Sequence, residues 1–236
     1  MASFVAIVSI ATFSKAPSCK DGLQNQGEAG IDCGGPCVFL CVDQQHAPSI
    51  LFTKAIPNGA GRTDVVASVE NVNGSAAAKN VPYTITLYGA GQVFVQQVTG
   101  TIDLPPSTIV PVFVPGITSG NQKTIRAFLT IDPSSVAWYS LNAGQLLRPV
   151  VVNTMFGGAT SSPRIDAVLT NGSVTAFSNV KVIVLVYDEH GEVIAASQTI
   201  VSNIPAQGQA TATFTWNSAF PSTPAKIEAI PISPLP

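Results

Sequence analysis

Four cysteines, all within one short Gly-rich stretch, are the residues of this sequence whose type and spacing most clearly indicate chemistry. They are Cys19, Cys33, Cys37 and Cys41, and the rest of the 236 residues contains none. An even number of closely spaced cysteines is typical of a disulfide module and of an oxidising compartment. The spacing lacks the paired C-x2-C knuckles usual for zinc, so disulfides are preferred over a zinc site or free thiols. The three pairings that four cysteines allow stay open.

Oxygen-bearing side chains are interspersed among these cysteines. They are Asp21, Asn25, Glu28 and Asp32, on a loop too rich in glycine to be a regular helix. Hard-oxygen ligands on a curled loop could bind Ca²⁺, although the spacing is not that of an EF-hand. The alternative, which we prefer, is that these residues form Asx turns and solvate a disulfide knot.

The string from Cys19 to Cys37 reads Cys-x-Asp-Gly-x-x-Asn-x-x-Glu-x-x-x-Asp-Cys-Gly-Gly-Pro-Cys. It resembles a Cys-rich motif that recurs in secreted and surface-anchored prokaryotic proteins. In one group, found in small-genome bacteria, the motif lies just outside a single N-terminal membrane helix and is followed by β domains. The resemblance implies an extracellular, cell-surface location and a membrane anchor.

Residues 1–15 form a hydrophobic segment that is uncharged up to Lys15. It is too short to span a membrane, which takes about 20 apolar residues, and it lacks the basic start of a signal peptide. Three interpretations stay open: the remnant of a longer anchor, a mature N-terminus, or a strand donated to a neighbouring subunit. The expected partner is accordingly the membrane or copies of the chain itself. The candidate anchor or assembly residues are Phe4, Val5, Ile7, Val8, Ile10 and Phe13.

The sequence offers little for catalysis. It contains no G-x-S-x-G elbow, no H-E-x-x-H and no phosphate-binding glycine loop, and its two histidines, His46 and His190, lie in a linker and a hairpin turn. We therefore expect no enzyme, no catalytic residue, no cofactor and no small-molecule substrate. Two Asn-Gly-Ser sequons, at Asn73 and Asn171, could accept glycans, but Asn-Gly is also a favoured turn dipeptide and that interpretation is preferred.

The elements that must position these residues repeat after about 100 residues. Ala67–Asn71 aligns with Ala167–Asn171, and Asn80–Tyr88 with Asn179–Tyr187. The sequence therefore predicts two copies of one domain, 47–146 and 147–236, behind a Cys-rich module at 16–46. Turn signals every 8–12 residues predict β-sandwiches. In the second copy, strands are expected near 150–156, 164–170, 180–187, 192–201, 209–216 and 225–232.

The strand end Val184-Leu-Val-Tyr-Asp188 and its counterpart Ile85-Thr-Leu-Tyr-Gly89 resemble the Phe-x-Leu-Tyr-Asp signature of FxLYD domains. These are small immunoglobulin-like domains of prokaryotic surface proteins, and the first copy departs from their pattern at Gly89. The resemblance implies an all-β fold of two tandem immunoglobulin-like sandwiches. The predicted core in the first copy consists of Val66, Val69, Ile85, Leu87, Val93, Val95, Phe113, Ile125 and Phe128. In the second it includes Val168, Val184, Val186, Ile194, Ile200, Phe214 and Ile227.

Composition limits the function. Only 10% of the residues are charged and the net charge is −2, so electrostatic capture of nucleic acid is not expected. We predict a non-enzymatic extracellular structural or adhesion protein. The alternatives are a filament or pilus subunit that polymerises through residues 1–15, and a secreted carbohydrate- or peptide-binding module. The third has less support because Trp138 and Trp216 lie in separate copies.

Overall fold

A computed structural model describes residues 18–59, 61–118, 122–142, 144 and 146–235. In this part of the chain the protein is all-β, with thirteen strands and three single-turn 3₁₀ segments, Val42–Gln44, Ala90–Gln92 and Pro133–Ser135. The strands are β1 (Ser49–Pro57), β2 (Arg62–Asn71), β3 (Ala76–Tyr88), β4 (Phe94–Leu104), β5 (Thr108–Thr118), β6 (Arg126–Thr130), β7 (Trp138–Ser140), β8 (Val150–Ala159), β9 (Ser162–Thr170), β10 (Phe177–Tyr187), β11 (Val193–Ile204), β12 (Gln209–Thr215) and β13 (Lys226–Ile232). All six strands expected in the second copy are present.

The strands form two antiparallel β-sandwiches that repeat one topology. In the first, β1-β2-β5 form one sheet and β4-β3-β6 the other, with β7 paired to the start of β3. In the second, β8-β9-β12 and β11-β10-β13 pair in the same way. Left-handed residues recur at matching positions, since Asn80 and Asn179 both have φ of 53°. Asparagine tolerates this conformation, which accounts for its presence at both positions; Asn80 lies at a register shift between β3 and β4.

Each sandwich has its own core between its two sheets. The alternation of side chains along half-buried strands supplies it, as in β12, where Ala212 and Phe214 point inward between exposed threonines. Trp138, 1% exposed, is the largest buried side chain of the first core, and Phe214, 2% exposed, of the second.

A third apolar layer joins the two sandwiches. The outer face of sheet β1-β2-β5 packs against the outer face of sheet β11-β10-β13, and between them lie Phe52, Ile56, Val66, Phe113, Ile183, Leu185, Val193, Ala196, Ile230 and Ile232. Strands β2 and β10 are consequently buried on both faces, which explains their nearly continuous apolar runs. The four sheets form one stack, and Lys54 and Glu192 form an ion pair of 2.6 Å between the sandwiches.

Several side chains predicted for the cores lie elsewhere. Val66 and Phe113 lie in the layer between the sandwiches rather than inside the first one. Val168 is half-buried outside the second core, because Ile165, Ala167 and Leu169 take the inward positions of β9. Phe128 is exposed because its neighbours on β6, Ala127 and Leu129, take the inward positions. Val93 and Ile125 lie just outside β4 and β6 and are about half exposed, and Ile200 is on the outer face of β11.

Candidate functional site

The Cys-rich module is held by two disulfides, Cys19–Cys37 and Cys33–Cys41, and has no free cysteine. The predicted disulfide chemistry is confirmed, and the pairing that the sequence left open is settled. Glycine permits the tight crossing: Gly35 has φ of 56°, and a Cβ there would collide with the carbonyl of Gly27. Two disulfides in so short a segment indicate an oxidising compartment.

The oxygen-bearing side chains between the cysteines cap main-chain N–H groups. The Asp32 carboxylate accepts from the N–H groups of Asp21 (3.0 Å) and Gly22 (3.0 and 3.2 Å). The buried Glu28 carboxylate accepts from the N–H groups of Asn25 and Asp32, both at 3.3 Å. The Asn25 amide donates to Asp21 at 2.9 Å. These bonds tie distant parts of the loop together, and one contact is that of an Asx turn: the Leu23 N–H donates to the Asp21 carboxylate two residues earlier, at 2.9 Å.

The three acidic residues among the predicted calcium ligands, Asp21, Glu28 and Asp32, do not form a cluster of potential ligand atoms in the described part of the chain. Among the described residues, one group of potential ligand atoms lies within 4.8 Å of one another: Cys19, Glu28 and Cys37. Its two sulfurs are bonded to each other and are therefore not thiolate ligands. The carboxylates of Asp21 and Asp32 are outside this group, and both accept main-chain N–H groups of the loop, which favours the turn interpretation. Calcium binding by the four side chains stays a prediction.

The module is attached to the first sandwich. Phe39 forms a β-bridge with Tyr139, and the Leu40 N–H donates to the Trp138 carbonyl at 2.8 Å. The chain that follows is held by a reciprocal clamp. The His46 N–H donates to Oδ1 of Asn73 (2.9 Å), whose amide donates to the His46 carbonyl (2.8 Å). The module thus extends one edge of the sandwich through β7.

Both sequon asparagines are buried, which corrects the glycosylation hypothesis. Asn73 is 7% exposed and its amide donates to His46 and to Asn71. Asn171 is 1% exposed and its amide donates to the carbonyls of Thr175, Ile204 and Pro205 at 2.8–3.3 Å. A glycan on either amide nitrogen would displace these bonds, so neither position is a glycan acceptor in the folded protein.

The repeated tyrosines lie in different surroundings. Tyr187 donates its hydroxyl hydrogen to the Glu228 carboxylate (2.9 Å). Lys226 lies 2.6 Å from the same carboxylate and 5.3 Å from the centre of the Tyr187 ring. Burial, and then the bond to Glu228, raise the pKa of Tyr187. Tyr88 instead meets the ring of Phe128 edge to face, with centroids 5.9 Å apart.

An open cleft of about 570 Å³ lies beside Tyr88 on the first sandwich. Its lining includes Tyr88, Phe128, Arg126, Gln92 and two threonines, Thr86 and Thr130. Sequence reasoning missed it because Phe128 was assigned to the core. The period-two pattern of β6, with Ala127 and Leu129 inward, was the signal that could have found it.

The other residues singled out in the sequence, His190, Trp216 and the apolar residues of the N-terminal segment, do not form a common site among the described residues. His190 lies in the hairpin turn, where its N–H donates to Asp188 at 2.9 Å. Trp216 contacts Phe220, which stacks on Phe156, at the edge of the second sandwich. Phe4, Val5, Ile7, Val8, Ile10 and Phe13 lie outside the described residues. No helix among the described residues is long and apolar enough to cross a membrane.

Comparison with known proteins adds little. No protein-family model and no curated protein matches the sequence. Red sea bream transglutaminase is similar over 79% of this chain and 29% of its own, with 13% identity and a TM-score of 0.28. A beta-glucuronidase from glycoside hydrolase family 2 is similar over 70% of this chain and 21% of its own, with 13% identity and a TM-score of 0.26. The chain spans less than a third of either protein, and such TM-scores carry no argument about activity.

Proposed function

We propose that this chain is a non-enzymatic structural or adhesion protein of the extracellular cell surface, built of tandem immunoglobulin-like domains. The observation that carries the proposal is the apolar layer between the sandwiches, which packs the two modules into one stack. Full burial of a Val, Leu or Ile side chain is worth about 1.5–3 kcal/mol, and four such side chains, Val66, Ile183, Leu185 and Val193, are buried in the layer. Packing of this kind holds the second sandwich in a fixed position relative to the first, which suits a surface protein that presents one of its domains away from the cell.

The attachment of the Cys-rich module supports the same function. The module bonds to the first sandwich through β7 and the His46–Asn73 clamp instead of forming a separate stalk. The oxidising compartment indicated by the disulfides is compatible with the surface location. The resemblances to FxLYD domains and to the surface-protein motif belong to this proposal, as does anchoring through residues 1–15.

The test is surface labelling of intact cells that produce the protein. We expect an antibody raised against residues 49–232 to label unpermeabilised cells, and added protease to remove that labelling. Labelling that needs permeabilisation would contradict the proposal. A cytoplasmic protein expressed in the same cells serves as the control for membrane integrity.

A second candidate, a filament subunit, is favoured by one observation on the second sandwich. Strand β8 is an edge of its sheet, and Val150, Val152, Met155 and Phe156 on it are each more than half exposed. Exposed apolar edges accept strands from other chains. Residues 1–15 of another copy have suitable composition for this role.

Two matched variants test this candidate by electron microscopy. Deletion of residues 1–15 and the substitution Val152→Lys, which places a charge on the receiving edge, should each abolish fibres formed by the unaltered chain. Fibres that persist in both variants would exclude strand donation. Lysine in place of Val174, which is exposed but outside the strands, is the control and should leave fibres intact.

A further inference from the structure

The two sandwiches differ at the faces that the shared topology makes equivalent. On the second sandwich, Ile183 and Leu185 of β10 and Ile230 of β13 enter the buried layer. Strand pairing places Thr84, Thr86 and Thr130 at the same positions of the first sandwich, on the face to which the buried layer of the described residues does not extend. Threonine in place of Ile and Leu keeps this end of the stack from docking another sandwich. The threonines therefore make most of this outer face of the first sandwich a polar cap that ends the stack.

One corner of the cap does not follow this rule. Phe94 and Phe128 are 55% and 51% exposed, and they flank Tyr88 near the 3₁₀ turn Ala90–Gln92. Tyr88, Phe128 and the turn Ala90–Gln92 line the 570 Å³ cleft, whereas Phe94 lies outside its lining. A solvated cap does not require exposed aromatic side chains, so their presence here needs another explanation.

At the equivalent corner of the second sandwich, a carboxylate of the protein itself contacts the tyrosine and the basic side chain. There the Glu228 carboxylate accepts from the Tyr187 hydroxyl and pairs with Lys226. In the first sandwich, Tyr88 and Arg126 stand at the positions of Tyr187 and Lys226, because both pairs are register partners in their sheets. Phe128 stands at the position of Glu228, so the carboxylate is missing.

The Arg126 guanidinium and the Tyr88 hydroxyl therefore lack the carboxylate that Lys226 and Tyr187 contact in the second sandwich. Neither side chain has a hydrogen-bond or ion-pair partner among the described residues, although the Tyr88 ring contacts Phe128. No acidic residue lines the cleft. An Arg guanidinium binds a carboxylate through two parallel N–H bonds more readily than an ammonium does. The corner is therefore complementary to a carboxylate supplied from outside.

We propose that this cleft binds a carboxylate-bearing sugar of an acidic polysaccharide, with the carboxylate at the place that Glu228 occupies in the second sandwich. Arg126 and the Tyr88 hydroxyl hold the carboxylate. The Phe128 ring lies against the apolar face of the sugar, and Thr86, Thr130 and Gln92 supply hydrogen bonds to its hydroxyls. This inference rests on the proposed function: the cleft would bind the surface protein to an acidic glycan.

Calorimetric titration of the purified full chain with tetragalacturonate tests the proposal, and the fully methyl-esterified tetramer is the matched ligand. We expect binding of the acid, and at least tenfold weaker binding of the ester, because esterification removes the charge that Arg126 recognises. Arg126→Gln should weaken binding by about tenfold or more. Phe128→Glu should abolish it, because it restores the internal carboxylate. Lys226→Gln, the equivalent change in the second sandwich, should leave binding unchanged.

Equal binding of acid and ester, unchanged binding by Arg126→Gln, or no binding of tetragalacturonate would each overturn the proposal. Tighter binding of a peptide C-terminal carboxylate than of the sugar would overturn the assignment of the ligand class. Because the titration uses purified protein, its failure leaves the surface location untouched. Failure of the cell-labelling test, in turn, does not alter the binding result. Both Arg126 and Phe128 are exposed, so circular dichroism should show folded variants.

Discussion

Asn71 and Asn171 each close the same corner of their sandwich. Both are fully buried, and each amide donates to three main-chain carbonyls while its oxygen accepts a main-chain N–H two residues on. We expect Asn171→Ala to lower the free energy of unfolding by about 2–4 kcal/mol, because it leaves buried carbonyls without donors. Urea denaturation measures this. Asn203→Ala, at an exposed position nearby, should change stability by less than about 0.5 kcal/mol. A similar loss from both would contradict the corner's role.

Tyr187 should make stability depend on alkaline pH. Burial first, and then its bond to Glu228, raise its pKa above the usual tyrosine value of about 10. The neutral form is therefore favoured in the folded chain. Its contribution to stability is complete below pH 10 and is lost as the pH rises further. Thermal unfolding at a series of pH values above 9 should show a shallower decline for Tyr187→Phe than for the unaltered chain. Parallel curves would contradict this.

The disulfide module should behave as an element that depends on its bridges. It has few buried apolar side chains, and each bridge is worth about 2–4 kcal/mol. We expect the double variant Cys33→Ser and Cys41→Ser to lose hydrogen-exchange protection in residues 18–41 while strands β1–β13 keep theirs. Peptides from the second sandwich provide the internal control. Loss of protection throughout the chain would instead make the module part of the sandwich's folding unit.

Elements were more predictable from the sequence than their environments. Period-two alternation and turn residues located β12 and the hairpin at Asp188–Gly191 because both signals are local. Such signals do not say what covers a strand's second face, so Val66 was assigned to the wrong apolar layer. The apolar run Val182–Val186 is typical of a strand buried on both faces, as β10 is, but a run of this kind does not identify what covers each face. Aligning the two copies at a shift of 100 residues also places Phe128 opposite Glu228. The sequence does not show that this replacement removes a hydrogen-bond acceptor, because the bond between Tyr187 and Glu228 is known only from the structure.

At the scale of the whole molecule, the layer between the sandwiches should couple their unfolding. Leu185 is 1% exposed and points away from the core of its own sandwich, so Leu185→Asp places a charge in the shared layer and leaves both cores intact. A buried charge without a partner costs about 3–5 kcal/mol. Differential scanning calorimetry should therefore resolve two heat-absorption peaks in this variant and one in the unaltered chain. Ile200→Asp is the matched control, because Ile200 is in the same sheet but 65% exposed. If the two variants unfold alike, the layer does not couple the two sandwiches. The proposed surface function would then lose the observation that supports it.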